Sequence, residues 1–250
     1  MSLSPIPWAS FADAIEWWKA LPAEDRERLD REHQERRRRD DERQRRQYRV
    51  ERARRLSHVA EKFADRTFAT FERSTENEAA LKLALLVADD ASAGAWFYGG
   101  EGTGKTHLAA AIAHAYIERG VACPMTSVVR LHDDLKAAYD AHGETRRGRE
   151  DLIASLVSMD SLILDDIDKP VPTPHFTERM YRLVNDRYEA KRPIIVTSNY
   201  APSEIAIAWE KAGGKRGRTT IDRLIEMCRR PGEPAARFAK LTGESRRGVA

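Results

Sequence analysis

Eight consecutive residues, Gly99-Gly100-Glu101-Gly102-Thr103-Gly104-Lys105-Thr106, satisfy the spacing G-x-x-x-x-G-K-(S/T) at every fixed position. That pattern suits one chemistry, the holding of a phosphate chain. Glycine-rich backbone turns tightly enough to aim successive N–H groups at phosphate oxygens. The ammonium of Lys105 would sit near the β- and γ-phosphates, and the Thr106 hydroxyl would help hold Mg²⁺. Gly100, Gly102, Thr103, Gly104, Lys105, Thr106 and the adjoining His107 are therefore the candidate residues for binding ATP. About sixty residues on, Leu162-Ile163-Leu164-Asp165-Asp166 is an apolar run ending in two carboxylates. In a phosphate-binding α/β fold, Asp165 would complete the Mg²⁺ site, and Asp166 would orient or deprotonate an attacking water. A third run, Pro193-Ile194-Ile195-Val196-Thr197-Ser198-Asn199, also ends in polar side chains. Asn199 is the candidate to reach the γ-phosphate or the water, with Thr197 or Ser198 as second choice. Asp168 is read as a turn residue.

These side chains need rigid elements to position them. Ala95 to Tyr98 reads as a short strand ahead of the glycine loop. His107 to Ile117 reads as the helix after it, rich in alanine and closed by Gly120. The helix start adds its positive dipole end to the phosphate site. Asn77 to Val87 reads as a preceding helix. Val121 to Thr126 reads as a second strand, at an edge or short, because Pro124 has no N–H to donate. Leu131 to Tyr139 and Leu152 to Val157 read as helices. Residues 142–150, with Gly143, Arg146, Arg147, Gly148 and Arg149, read as a mobile basic loop. Phe176 to Ala190 is another helix, introduced by Pro172-Thr173-Pro174. Strands alternating with helices imply right-handed crossovers and a parallel sheet.

The N-terminal part has a different composition. Trp8, Phe11, Ile15, Trp18 and Leu21 recur at helical spacing, with Ser10 and Asp13 as capping partners. From Ala23 to about Lys62 the chain is dense in charge and nearly free of Gly and Pro. A helix polar on all sides fits, as does partial disorder. Fully helical, it would reach roughly 60 Å. It is either a solvated spacer or a basic arm toward nucleic acid or an acidic protein face. The division expected is residues 1–62 as a helical, charged extension and 63–250 as the α/β domain.

Composition sets outer bounds. A net charge of +3 is too small for bulk charge alone to argue nucleic-acid binding. Cys123 and Cys228 are far apart, so a zinc ribbon lacks its ligands, and two isolated thiols fit a reducing, cytoplasmic setting. No apolar run is long enough to span a membrane, and no secretory pattern opens the sequence.

Together the three polar-tipped runs resemble the AAA+ ATPases. More closely, residues 63–247 resemble the DnaC/DnaI-type replicative helicase loaders and their IstB-like relatives. The likeness rests on Phe68-Ala69-Thr70-Phe71 with Asn77 and on Gly104-Lys105-Thr106-His107-Leu108-Ala109. It continues through Leu164-Asp165-Asp166-Ile167, Thr197-Ser198-Asn199, Ile221-Asp222-Arg223-Leu224 and Phe238 to Arg247. The resemblance implies an AAA+ P-loop domain with a parallel sheet flanked by helices and no separate lid. It implies self-association in which Arg223, on a helix after a basic loop from Lys211 to Arg218, reaches a neighbour's nucleotide; Arg218 is the runner-up. It further implies Mg-ATP-dependent delivery of a hexameric replicative helicase onto single-stranded DNA. Residues 1–62 would grip the helicase, with the aromatic helix either as its hook or packed on the ATPase core. Arg130, Arg146, Arg147 and Arg149 are candidates to touch DNA. Two rivals remain: an IstB-like helper of a transposase, and a nucleotide-switched adaptor with negligible hydrolysis. Asp166 stands where many AAA+ ATPases carry Glu, so slow hydrolysis is expected.

Overall fold

The computed structural model describes residues 10–140, 145–230 and 236–243. Trp8, Gly143 and residues 244–247 lie outside them, as do the side chains of Arg146, Arg147 and Arg149. The chain divides into two compact units, Met1–Tyr48 and Arg49–Ala250.

In the first unit, helix α1 (Phe11–Ala20) starts at Ser10, whose Oγ accepts from the Asp13 N–H at 3.2 Å and donates to Asp13 Oδ2 at 2.8 Å. This is the cap the sequence suggested, and it satisfies one of the helix's orphan N–H groups. Helix α2 (Ala23–Ser57) begins after Pro22, whose carbonyl accepts from the N–H groups of Asp25 and Arg26. Surface pairs such as Arg28–Asp25 and Arg39–Glu35 run along it. At 35 residues it is shorter than the charged stretch and reaches about 52 Å.

The second unit takes in the last turns of α2. Ala53 and Ser57 are fully buried there. Ser57 Oγ donates to the Ala53 carbonyl at 2.7 Å and accepts from the Cys123 N–H at 2.9 Å. His58, with φ of 43°, then turns the chain out of the helix. The unit continues through α3 (Glu78–Asp89), β1 (Ala95–Gly99), α4 (Lys105–Glu118), β2 (Met125–Ser127), α5 (Val128–Asp140), α6 (Thr145–Ser158), β3 (Leu162–Asp165), α7 (Pro174–Glu189), β4 (Ile194–Ser198), α8 (Pro202–Met227) and β5 (Phe238–Leu241). The strands form one all-parallel sheet in the order β2-β3-β4-β1-β5.

Strand alternation sorts the core onto two faces. Ala95, Phe97, Ile163 and Ile195 pack with α3 and α4. Trp96, Leu162, Leu164, Ile194 and Val196 pack with α5, α7 and α8. Both strand faces are covered, which is why the strands read as continuous apolar runs. Tyr116, fully buried, donates its hydroxyl to the Val87 carbonyl at 2.8 Å and ties α4 to α3.

Three local expectations are corrected. The second strand is confined to Met125–Ser127; Ala122 N–H bonds instead to Asp160 Oδ2, and Pro124 offers the sheet only its carbonyl. It does lie at the sheet edge. Residues 145–150 are not a loop but the first turns of α6. Good helix formers around Gly148 outweigh its penalty of about 1 kcal/mol. The basic stretch Lys211 to Arg218 is likewise helical within α8, apart from a kink at Gly214 (φ 57°, ψ −144°).

Candidate functional site

The carboxyl ends of β1, β3 and β4 meet at one edge of the sheet, where ligands of parallel α/β folds bind. Gly99 closes β1 with φ of 140°, and a Cβ there would lie 2.0 Å from the Leu241 carbonyl oxygen of β5. Only glycine fits so close to a neighbouring backbone. Gly104 (φ 101°) is the N-cap of α4, and a Cβ on it would stand 2.9 Å from the ring of Phe71. Between them Thr103, nearly buried, donates its hydroxyl to the Gly100 carbonyl at 2.9 Å and ties the loop to itself.

Lys105 lies in this loop's floor. Its Nζ donates to the carbonyls of Gly99 (2.8 Å) and Gly100 (2.6 Å) and to Asn199 Oδ1 (3.1 Å). Thr106 Oγ1 donates to Asp165 Oδ1 at 3.0 Å. The same carboxylate oxygen accepts from Thr197 Oγ1 at 2.6 Å, and that hydroxyl accepts from the Asp166 N–H at 2.8 Å. Burial pushes the Asp165 pKa up, and the Asp166 charge adds to it. Bonds from Thr197 and Thr106 and the charge of Lys105 pull the other way. A divalent cation beside Asp165 would supply the positive charge this buried carboxylate lacks. The donor set suits Mg²⁺, which needs few protein oxygens when phosphates and water fill the rest of its shell. Thr106 and Asp165 would hold it; bound Mg-ATP would supply the scissile phosphoanhydride. Among the described residues no group of three or more His, Cys, Asp or Glu forms another metal centre.

Asp166 has φ of 56°, a left-handed turn that carries it off the strand end and into the cavity's lining. Strand alternation decides between the second-choice residues. Thr197 and Asn199 point to the site. Ser198 points into the core, where it accepts from Trp96 Nε1 at 2.8 Å. Asp168, read from sequence as a turn residue, does more. Its two oxygens accept from the backbone N–H and the Nδ2 of Asn199, both at 2.9 Å. Asn199 is thereby aimed, with Oδ1 toward Lys105. The pairing joins residues 31 apart, and the only local sign of it was a third carboxylate just beyond Asp165 and Asp166.

His107 Nε2 donates to the Thr67 carbonyl at 2.9 Å, and its ring meets Phe71 edge-on, centroids 5.2 Å apart. It thus fixes the segment from Thr67 to Phe71 along the cavity. Asn77, almost fully buried, holds the following chain by accepting from the Ser74 N–H and donating to the Glu72 carbonyl. The resulting cavity of about 480 Å³ is lined by Lys105, Thr106, His107, Asp165, Asp166 and Asn199 among others. A larger groove, about 1200 Å³, runs beside α6 and α7 and includes none of these residues, so the phosphate chemistry belongs to the smaller one.

Arg223 is not brought to this cavity. It lies over the rings of Tyr181 (5.0 Å) and Tyr188 (5.5 Å) and donates to Asn185 Oδ1, all on α7. Arg218 pairs with Asp222 and Glu210. Arg130 is exposed and pairs with Asp134.

A glycine loop between a parallel strand and a helix, an acidic strand end and a polar-tipped strand between them define a P-loop nucleotide-binding protein of the AAA+ class. Comparison with known proteins narrows the class. Residues 25–230 match the IstB-like ATP binding proteins, and the chain belongs to that family. An ATP-binding protein of an insertion sequence from Mycobacterium tuberculosis is 35% identical over 121 residues, 48% of this chain and 46% of that one. The chromosomal replication initiator protein DnaA of Latilactobacillus sakei is 30% identical over 154 residues, 60% of this chain and 33% of that one. The chain thus spans less than half the length of either relative. The crystal structure of the DnaC helicase loader superposes with a TM-score of 0.59 at 20% identity, covering 73% of this chain and 100% of that one, which shows a common fold.

Proposed function

We propose that this chain is a Mg-ATP-dependent loader that places a hexameric replicative helicase on single-stranded DNA. The observation that carries the nucleotide part is the convergence of Lys105, Thr106, Asp165 and Asn199 at one cavity. Lys105 would leave its loop carbonyls for the phosphates. Asp166 would orient the attacking water, and Asn199, braced by Asp168, would report whether the terminal phosphate is present. Arg223 would serve a neighbouring subunit's nucleotide, consistent with its place outside its own cavity. Residues 1–62 would grip the partner, with α1 offering half-buried Trp17 and Trp18 and exposed Ile15. The loader reading is supported by the likeness in fold to the DnaC loader over that protein's whole length. Among the described residues no helix is long and apolar enough to cross a membrane.

A second reading has its own support. The family name and the insertion-sequence relative favour an ATPase helper of a transposase. Co-purification with ATP separates the two. Retention of a ring helicase, lost on deleting residues 1–22, supports the loader; retention of a transposase instead replaces it. Phosphate release with and without single-stranded DNA tells an ATPase from a nucleotide-switched adaptor.

A further inference from the structure

Besides Lys105 the cavity lining holds two lysines that the phosphate-loop pattern does not contain, Lys62 and Lys169, and the second lies at the acidic turn. Lys169 follows the acidic strand end, in a turn closed by its own N–H bonding to the Asp166 carbonyl at 3.1 Å. Its Nζ donates to Glu101 Oε1, on the glycine loop. Both residues line the cavity with Lys105, Thr106 and Asp166. The pair therefore bridges the glycine loop and the acidic turn.

Glu101 is an unexpected side chain for this place. A phosphate cradle gathers N–H groups and cations, and a carboxylate on its loop repels the polyanion it receives. Lys169 offsets that charge in the structure described. The bond from Glu101 raises the lysine's pKa, slight burial opposes this, and the charges of Glu101, Asp166 and Asp168 add to the rise, so the ammonium stays charged. Yet the two side chains are 39% and 59% exposed. An ion pair so open to water is a weak hold. A triphosphate with several negative charges beside the same lysine outcompetes a single carboxylate.

We propose that Lys169 is a second phosphate-contacting cation, parked on Glu101 and transferred to the terminal phosphate when a nucleoside triphosphate enters. It would make the site favour ATP over ADP. This deepens the nucleotide reading and rests on it. Titration calorimetry of the full chain with Mg-ATP and with Mg-ADP tests it. Wild-type protein that takes up neither nucleotide defeats the underlying reading, not this step. With wild-type binding in hand, Lys169→Ala is expected to weaken ATP about tenfold and ADP little, from loss of one charge-assisted bond. Lys169→Arg should keep most of the preference, and Glu101→Gln should bind ATP at least as well as wild type. The loss must persist when Lys169→Ala is combined with Glu101→Gln. An unchanged ATP-to-ADP ratio in Lys169→Ala overturns the proposal. So does disappearance of the loss in the double variant, which would make Lys169 only a neutraliser of Glu101. The exposure of the pair means the fold should tolerate each change, and a circular dichroism melt confirms it.

Discussion

Asp168 offers a sharp test of how the site is held. Replacing it by Ala removes two acceptors, for the Asn199 N–H and for its Nδ2. Hydrogen bonds to a charged group are worth about 1.5–3 kcal/mol each when well formed. Asp168 is only half-buried, so water replaces part of each bond, and a combined loss of about 2–3 kcal/mol is a reasonable ceiling. Little of this should appear as global instability. Asn199 follows a strand whose register with β1 and β3 is set by other bonds, so the loss falls on the orientation of the tip. If Asn199 must be oriented for turnover, a barrier increase of about 1.4–2.8 kcal/mol corresponds to a ten- to hundredfold drop in kcat. ATP affinity should change little, because the glycine loop and Lys105 remain. Steady-state phosphate release and nucleotide titration on Asp168→Ala and Asp168→Asn check both halves. The Asn variant can still accept one bond and should fall between. Turnover equal to wild type in Asp168→Ala refutes the reasoning, since it would show that a free Asn199 works as well as a braced one.

Arg223→Ala should bind Mg-ATP normally yet lose turnover by at least tenfold, as expected when a charge on the transferring phosphoryl group goes unneutralised. Mixing it with Lys105→Ala, which keeps Arg223 but has a damaged loop, should recover part of the activity; no recovery would mean the arginine acts only within its own subunit or only on the fold. A pH effect is expected at the far side of the domain. Burial opposes ionisation of Asp90, but hydrogen bonds from Ser92 and Arg237 and the charge of Arg230 outweigh it and bring its pKa down from 3.8 to about 2. The unfolded chain binds this proton more readily than the folded one, so the stabilisation, about 2 kcal/mol, is present above pH 4 and fades as pH falls to 2. Asp90→Asn should therefore unfold more easily than wild type in urea at pH 7, and the gap should close toward pH 2.

The parts of the site that were legible in sequence are those with local spacing. The glycine loop, the strand ending in Asp165 and Asp166 and the strand ending in Asn199 each announce themselves within eight residues. Their neighbours in space do not. The role of Asp168 depends on β4 lying next to β3, and Ser198 is excluded only once the Trp96 indole on the neighbouring strand is known to bond it. The two stretches read as loops but found helical have one cause. Residues 145–150 and Lys211 to Arg218 contain glycines and many arginines, which suggest loops, yet packing of the flanking apolar turns continues the helices through them. The long charged helix shows the reverse: its propensity was plain, while burial of Ala53 and Ser57 at its end could not be seen among so many charges.

The strand order explains why the site takes this form. The acidic strand is not the neighbour of the strand that leads into the glycine loop; β4 lies between them. That insertion is what lets one strand tip touch both halves of the pocket. Thr197 reaches back to the acidic end through Asp165 and Asp166, while Asn199, two residues on and therefore on the same face, contacts Lys105 on one side and Asp168 on the other. Were β3 beside β1, the acidic pair could still meet the metal, but no tip of a middle strand would touch Lys105 and Asp168 at once. On the proposed reading, a change at the phosphate end, whether arrival of the terminal group or its loss, would be felt first by Lys105 and Asn199. Asp168, which bonds Asn199, would link that change to the turn that carries Lys169 and leads into α7, the helix against which Arg223 rests.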